Sequence, residues 1–192
     1  ICSCRGLSPK IYHEEQKMRQ LVSTDWLEKN INKVKILDAS WHLPNSNRKA
    51  EEEYKLNHIQ NSIFFDIDKH SNQNSTLPHM LPSKNDWENI VSNLGIKNSD
   101  HVIVYDNSEV FSACRVWYTF IYFGHDPNLI SVLDGNFSKW LNEKKPISKD
   151  ILKIVTSEYK AVEDTSLVIN KDQVDENIKS KKFQLIDARG EK

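Results

Sequence analysis

Glycine, cysteine and long apolar runs are scarce in this sequence, and each scarcity excludes a class of protein. Five of the 192 residues are glycine. No Gly-x-Gly-x-x-Gly or Gly-Lys-Ser/Thr loop follows a candidate strand, so a nucleotide-binding α/β protein has little support. No apolar run approaches the about 18 residues of a membrane span, and residues 1–20 lack the apolar centre of a secretion signal. We therefore expect no membrane partner.

Cysteine content and net charge exclude three further kinds of site. The three cysteines, Cys2, Cys4 and Cys114, cannot form a disulfide framework, which is typical of a protein of the reducing cytoplasm. Cys2 and Cys4 have no second ligand pair nearby, and no histidine falls at a zinc-binding spacing, so we expect no metal and no cofactor. A net charge of -1, from 26 basic and 27 acidic residues, offers no electrostatic field for nucleic acid.

The predicted fold is organised around residues 101–124. Val102–Tyr105 is a β-branched and aromatic run, typical of a strand that is buried on both faces. A polar loop follows, and Ser112 is predicted to cap a helix that is apolar on almost all sides and ends at Gly124. In such an α/β arrangement, chemistry is expected at the carboxyl end of the strand.

Strand and helix patterns alternate along the rest of the chain, which predicts an α/β fold with a mostly parallel central sheet and helices on both faces. Further strands are predicted at residues 34–38, 63–65 and 130–133, and further helices around Trp26, Trp87 and Trp140. Residues 41–62 are predicted to be a loop with one exposed helical segment, and residues 69–82 an irregular segment. From residue 142 to residue 165 the sequence is polar and has no sustained period, which indicates a linker.

The opening of the chain recurs after this linker. The apolar pairs Leu21-Val22 and Leu167-Val168 are offset by 146 positions (167 minus 21), and the Asp-Ala pairs that begin at Asp38 and Asp187 by 149 (187 minus 38). We therefore predict an extension at residues 1–17, a first domain at 18–141, a linker at 142–165 and the truncated start of a second copy at 166–192. The alternative is a chance agreement of short apolar segments.

A series of short motifs occurs in one order along the chain. The motifs are residues 22–27, 38–41, 64–68, 79–83, 102–106, 115–117, 123–125 and 183–189. In sequence, order and spacing they resemble the two-domain rhodanese family of sulfurtransferases, which comprises thiosulfate and 3-mercaptopyruvate sulfurtransferases, and the resemblance implies the rhodanese-like fold. One departure is at residues 58–62, where His-Ile-Gln-Asn-Ser replaces the family's His-Ile-Pro-Gly-Ala; we expect the loss of proline and glycine to loosen that turn.

The resemblance implies a sulfur-transfer reaction. A cysteine thiolate takes the sulfane sulfur of 3-mercaptopyruvate or thiosulfate as a persulfide and passes it to cyanide or to a thiol, with thioredoxin as one candidate acceptor. In the family this cysteine begins the loop after the central strand of the second domain, where backbone N–H groups hold the thiolate. The matching residue of the first domain is Asp106, and a carboxylate cannot carry sulfur. We therefore expect the catalytic cysteine beyond Lys192 and no activity from this chain alone. The alternatives are an inactive rhodanese-like binding or regulatory domain, or the remnant of a split gene.

The resemblance also assigns roles to three residues. Asp68 and His79 match a first-domain catalytic pair that mercaptopyruvate-type members bring against a serine of the second-domain loop, where it polarises the substrate or moves a proton. Arg189 matches the substrate-binding arginine that holds the anionic donor. The alternative for His79 is a loop histidine that orders the prolines on either side, and for Arg189 a surface arginine. Because thiosulfate-type members typically lack the histidine, His79 favours 3-mercaptopyruvate.

Two residues near the start of the central helix receive structural interpretations. Cys114 is the only cysteine inside the predicted fold, and we interpret it as a small apolar filler between helix and sheet rather than as a nucleophile. Arg115 is predicted to tie the first domain to its partner domain.

Overall fold

A five-stranded parallel sheet forms the centre of the fold. The computed structural model describes residues 20–187. The strands of the central sheet are β1 (Leu21–Val22), β2 (Lys35–Asp38), β4 (Ser62–Phe64), β5 (Val102–Tyr105) and β6 (Ile130–Leu133). Their spatial order is β1-β6-β5-β2-β4, and every pair is parallel. Two short strands, β3 (His58–Ile59) and β7 (Ile147–Ser148), pair antiparallel beside it.

Helices cover both faces of this sheet, which confirms the predicted α/β class. They are α1 (Thr24–Asn30), α2 (Ala50–Leu56), α3 (Lys84–Asn93), α4 (Ser112–Tyr122), α5 (Asn136–Asn142) and α6 (Lys171–Ser180), with a 3-10 turn at Thr165–Leu167. Alternate residues of β5 point to opposite faces. Val102 and Val104 pack with α3 and α4, while Ile103 and Tyr105 pack with α1 and α5. Within residues 20–187, no helix is both long and apolar enough to cross a membrane.

The predicted cap of α4 is wrong. Phe111 occupies the N-cap position in a left-handed conformation, with φ at +52°, and Ser112 is the first helical residue. The Ser112 hydroxyl instead donates to the Ala39 carbonyl at 2.7 Å and lies 2.7 Å from the Ser108 hydroxyl. A tertiary acceptor at the end of β2 therefore replaces the local capping contact that the sequence suggested.

The turn between β3 and β4 forms without the proline and glycine that the family has there. Asn61 adopts the left-handed conformation, with φ at +66°, and asparagine is among the few residues that tolerate it. Its side-chain amide also donates to the Asn32 side-chain oxygen at 2.8 Å. Asn61 thus supplies the left-handed residue of this turn in the absence of a glycine.

Residues 149–164 lie as an extended strap along the domain. Tyr159 and Ala161, 1% and 2% exposed, are buried in the core beside α3 and α4. The Val162 N–H donates to the Phe123 carbonyl at 3.0 Å, and the Tyr159 N–H donates to Ser92 Oγ at 3.0 Å. The sequence predicted only a linker here. Just two side chains of this polar segment face the core, which is too few to give a recognisable apolar pattern. The domain boundaries at residues 141 and 165 remain a prediction.

Two glycines allow the strap to lie this close to the helices. Gly95 and Gly124 follow α3 and α4 with φ at +67° and +77°, a left-handed conformation that favours glycine. A Cβ atom at Gly95 would lie 2.5 Å from the Val155 carbonyl oxygen, and one at Gly124 would lie 2.7 Å from that of Val162. Both distances are too short for a side chain, so each glycine ends a helix and also admits the strap.

A buried histidine, His125, contacts the strap through the Tyr159 hydroxyl. His125 Nε2 lies 3.1 Å from the Asp100 carbonyl oxygen and 3.2 Å from that of Leu129, and its Nδ1 lies 3.2 Å from the Tyr159 hydroxyl. Burial lowers the pKa of His125, while the two carbonyl contacts partly oppose the change. A neutral imidazole fits these partners, because Nε2–H can donate to a carbonyl while Nδ1 accepts from the tyrosine hydroxyl.

The segment predicted to begin a second copy contains one helix, α6, and no strand among its described residues. α6 begins with a capping box between Asn170 and Gln173. Residues 181–187 form no strand with any residue that the structure describes, and Leu185 and Ile186 are 49% and 80% exposed. A strand requires a neighbour to pair with, and the described part of the chain offers none here. The predicted extension at residues 1–17 lies outside the described residues.

We predict that Tyr159→Ala lowers the free energy of unfolding by about 3 kcal/mol, because it leaves a cavity in the core beside α3 and α4. Urea denaturation of the variant measures the change. Val162→Ala is the matched control on the same strap, since Val162 is 70% exposed; a loss below about 0.5 kcal/mol is expected there. Equal stability of Tyr159→Ala and the wild type would mean that the strap does not belong to the cooperative core.

Candidate functional site

Asp68 and His79 form a contact pair on the surface of the domain. His79 Nε2 lies 2.8 Å from Asp68 Oδ1, although the two residues are 11 positions apart in sequence. Asp68 follows the carboxyl end of β4, and His79 lies in the irregular segment before α3. The fold therefore brings together the two residues that the resemblance predicts as a pair, and it does so at the edge of the sheet where the strands end.

Side-chain hydrogen bonds, rather than regular structure, shape the segment that carries His79. The Gln73 side-chain amide donates to the carbonyls of Asp68 at 2.6 Å and Ser71 at 2.9 Å. The Asn72 N–H donates to the Met80 carbonyl at 2.8 Å, which closes the loop next to His79. These bonds satisfy backbone carbonyls that would otherwise rely on water, so the loop holds a defined shape.

A third residue, Trp41, contacts the Asp68–His79 pair, and it was not among the site residues predicted from the sequence. Its indole Nε1 donates to both carboxylate oxygens of Asp68, at 3.2 and 3.1 Å. Its ring also meets the His79 imidazole edge-on, with centroids 4.9 Å apart. The signal in the sequence was its position, because Trp41 is an aromatic residue with a polar N–H just past the end of strand β2. Trp41 thus contacts both members of the pair.

The pair is accessible to a substrate. The His79 and Asp68 side chains are 34% and 64% exposed. Beside them is an open cleft of about 300 Å³, lined among others by Trp41, Arg48 and Asp66. An exposed imidazole held by a carboxylate at one nitrogen can exchange a proton through the other, so the arrangement is suited to acid-base chemistry. Among the described residues no group bonds to His79 Nδ1, which leaves that nitrogen available.

The Asp106 carboxylate occupies the loop after the central strand β5. Asp106 Oδ2 accepts from the Ala113 N–H at 2.7 Å, and Oδ1 accepts from the Ser108 N–H at 3.3 Å. The residue is 2% exposed. Burial raises the pKa of Asp106 above its ordinary value, and the two backbone donors offset part of that rise. No substrate reaches these N–H groups, because the carboxylate already occupies them.

Cys114 does not fill a gap between helix and sheet, so that interpretation is corrected. The side chain is exposed, because Ala113 and Val116 are the residues of this turn that face the core. Partial burial and the nearby Asp106 carboxylate raise the pKa of the Cys114 thiol. A raised pKa disfavours the thiolate, which is the nucleophilic form.

Two arginines complete the set of predicted residues. Arg115 donates through Nη2 to the backbone carbonyl of His79 at 2.6 Å, so within the described residues its hydrogen bond is made to this loop. A tie from Arg115 to a partner domain stays a prediction. Arg189 lies outside the described residues. Within residues 20–187, no three His, Cys, Asp or Glu side chains lie close enough together to hold a metal ion.

Comparison with known proteins gives consistent matches. The profile of the family described as "Rhodanese-like domain" matches residues 23–143. The 3-mercaptopyruvate sulfurtransferase of Mus musculus is 37% identical over 182 residues, which cover 91% of this chain and 61% of the mouse protein. The thiosulfate sulfurtransferase of Rattus norvegicus is 40% identical over 181 residues, covering 90% of this chain and 60% of the rat protein.

A solved structure matches the fold. The crystal structure of a 3-mercaptopyruvate sulfotransferase from Escherichia coli is similar with a TM-score of 0.83 at 30% identity, covering 89% of this chain and 66% of that one. The chain therefore spans about three fifths of the length of the curated relatives it matches.

We predict that Asp106→Ala destabilises the domain by about 2 kcal/mol, because it leaves the buried Ala113 N–H without an acceptor. Asp106→Asn keeps one acceptor oxygen and is expected to cost less. Asp134→Ala is the control for loss of a carboxylate, since the Asp134 side chain is 58% exposed. Urea denaturation compares the three variants. A more stable Asp106→Ala would show that burying the charge costs more than the two hydrogen bonds contribute.

Proposed function

The chain belongs to the family of rhodanese-like domains, and from this we propose that it is the catalytically silent first domain of a sulfurtransferase. The protein takes a sulfur atom from 3-mercaptopyruvate or thiosulfate as a cysteine persulfide, and it passes this sulfane sulfur to cyanide or to a thiol such as that of thioredoxin. On this proposal the persulfide cysteine belongs to a second rhodanese-like domain, and the reaction takes place in the cytoplasm. The relatives named above support the chemistry, and the buried Asp106 supports the silence of this domain.

The observation that carries the proposed role of this domain is the 2.8 Å contact between His79 and Asp68. Asp68 orients the imidazole, and His79 is the catalytic residue that moves a proton at the substrate. Both groups are exposed, so a site completed by another domain can use them. A carboxylate-bound imidazole is the usual protein device for such a transfer.

The same pair favours 3-mercaptopyruvate over thiosulfate as the donor. When a cysteine thiolate attacks the sulfur of 3-mercaptopyruvate, the carbon–sulfur bond breaks and the electron pair leaves as the enolate of pyruvate. That enolate must take up a proton, which His79 can supply. When thiosulfate is the donor, the leaving group is sulfite, which requires no protonation at carbon. A proton-transfer pair therefore assists the reaction of 3-mercaptopyruvate and not that of thiosulfate.

Arg189 takes the remaining role. A guanidinium binds a carboxylate through two parallel hydrogen bonds, and 3-mercaptopyruvate carries one carboxylate. We propose that Arg189 holds this group while His79 acts at the other end of the molecule.

A second candidate function is a binding or regulatory domain without sulfur transfer, or the product of a split gene. The observation that favours it is Asp106, whose carboxylate closes the loop that holds the thiolate elsewhere in the family. The nucleotide sequence downstream of the Lys192 codon separates the candidates. A Cys-Gly-Ser-Gly-Val-Thr loop about 60 residues further on, by the repeat offset, supports the mercaptopyruvate enzyme. A Cys-Arg-Lys-Gly-Val-Thr loop shifts the donor to thiosulfate, and an early stop codon supports the second candidate.

We predict that the purified 192-residue chain forms no thiocyanate from thiosulfate and cyanide, and no pyruvate from 3-mercaptopyruvate and dithiothreitol. Mass spectrometry after incubation with either donor is expected to show no added sulfur atom on Cys114, because its thiol carries a raised pKa. The Cys114→Ser variant is the matched control. Turnover by the wild-type chain that disappears in this variant would overturn the silence of the domain.

We predict that, in a protein carrying both domains, His79→Asn lowers kcat for pyruvate formation from 3-mercaptopyruvate by about 100-fold. Thiocyanate formation from thiosulfate is expected to change little, because sulfite requires no proton at carbon. His101→Asn is the control, since His101 precedes the amino end of β5, at the opposite edge of the sheet. Equal losses with both donors would contradict a proton-transfer role for His79.

A further inference from the structure

The backbone at His79 is strained and therefore depends on outside support. His79 has φ at +57°, in the left-handed region that residues with a side chain rarely adopt. Such a conformation costs about 1 kcal/mol or more and persists only where surrounding contacts impose it. The conformation also determines where the imidazole points, so its support bears directly on the contact with Asp68.

Arg115 supplies a contact to this peptide from a different element. Its Nη2 donates to the His79 carbonyl oxygen at 2.6 Å, across 36 positions of sequence. The donor is charged, and hydrogen bonds from a charged donor are stronger than neutral ones. The neighbouring Met80 carbonyl is held separately, by the Asn72 N–H at 2.8 Å. Two consecutive carbonyls are thus fixed by two different donors.

The guanidinium is committed to this loop. Among the described residues no carboxylate forms an ion pair with Arg115, so no competing charge draws it away. Desolvation lowers the pKa of Arg115, although the group remains charged at every working pH. Its backbone belongs to the first turn of α4, close to where Asp106 accepts from the Ala113 N–H at 2.7 Å.

We infer that Arg115 is a positioning residue, which holds the His79 peptide in its left-handed conformation and so directs the imidazole to Asp68 and Trp41. The inference rests on the proposed function for its use in catalysis. On this inference α4 has a supporting role in the site. Its N-terminus is closed by Asp106, but its Arg115 side chain supports the loop that carries His79.

The test is made by NMR on the 192-residue chain itself. Because the Trp41 and His79 ring centroids lie 4.9 Å apart, nuclear Overhauser effects are expected between their ring protons in the wild type. Arg115→Met keeps the apolar stem of the side chain and removes the donors, so these effects are expected to be lost. The Nε2–H signal of His79, protected by Asp68, is expected to be lost to solvent exchange in the same variant.

Two further variants isolate the cause. Arg115→Lys retains one charged donor and is expected to recover part of the signal. Arg48→Met makes the same chemical change at an arginine whose Nη2 bonds instead to Glu53 Oε2, at 2.6 Å, and is expected to leave the His79 signals unchanged. If Arg115→Met does not fold, Arg115→Gln replaces it, because glutamine is too short to reach the carbonyl and is expected to give the same loss.

Unchanged Trp41–His79 effects in a folded Arg115→Met or Arg115→Gln would overturn the inference. Equal losses in Arg48→Met would also overturn it, because the response would then not be specific to the His79 carbonyl. The spectra report geometry and not sulfur transfer. The positioning role can therefore fail while the proposed reaction stands, and the reaction can fail in kinetic assays while the contact is confirmed.

Discussion

The hydrogen bonds between the Asp106 carboxylate and the N–H groups of Ser108 and Ala113 join the central strand to the central helix. The first N–H groups of a helix have no partner within it, and they attract an anion. In a catalytic rhodanese-like loop a thiolate can meet that need. Here a carboxylate of the chain itself meets it, at the cost of burying a charge. The start of α4 is therefore fixed without a ligand, and Arg115 lies two residues after the N–H group that this internal anion holds.

The groups of this domain that are suited to acid-base chemistry lie outside the closed Asp106 loop, at the surface. Trp41, Asp68 and His79 all come from loops that follow strand ends, as expected for a parallel α/β sheet. None of them is held by regular structure. Trp41 donates to Asp68, Asp68 meets His79, and Arg115 holds the His79 carbonyl. Each contact is polar and exposed, so none contributes much to stability. These contacts instead fix the geometry of the Asp68–His79 pair, which the proposed proton transfer requires.

The accuracy of the sequence analysis followed the range of the interactions involved. β5 and α3 could be predicted because a buried strand and an amphipathic helix have local patterns. The Ser112 cap failed because its hydroxyl found an acceptor at Ala39, far away in sequence. The packing of the strap was missed because two buried residues, Tyr159 and Ala161, do not make a period. The pairing of Asp68 with His79 came from the family resemblance alone. For Trp41 the sequence offered only its position after β2, because a contact between loops has no local pattern.

The two glycines beneath the strap make tolerance to substitution uneven along the surface. Gly95 and Gly124 follow helix ends in a left-handed conformation, where any residue with a side chain already costs about 1 kcal/mol. Here any side chain would meet a strap carbonyl oxygen, at 2.5 or 2.7 Å, and would have to lift the strap. Lifting the strap withdraws Tyr159 from beside Phe120 and His125. A substitution at either surface glycine would thus disturb the packing of the core. Substitutions at these glycines and in the strap therefore cannot be accepted independently of one another.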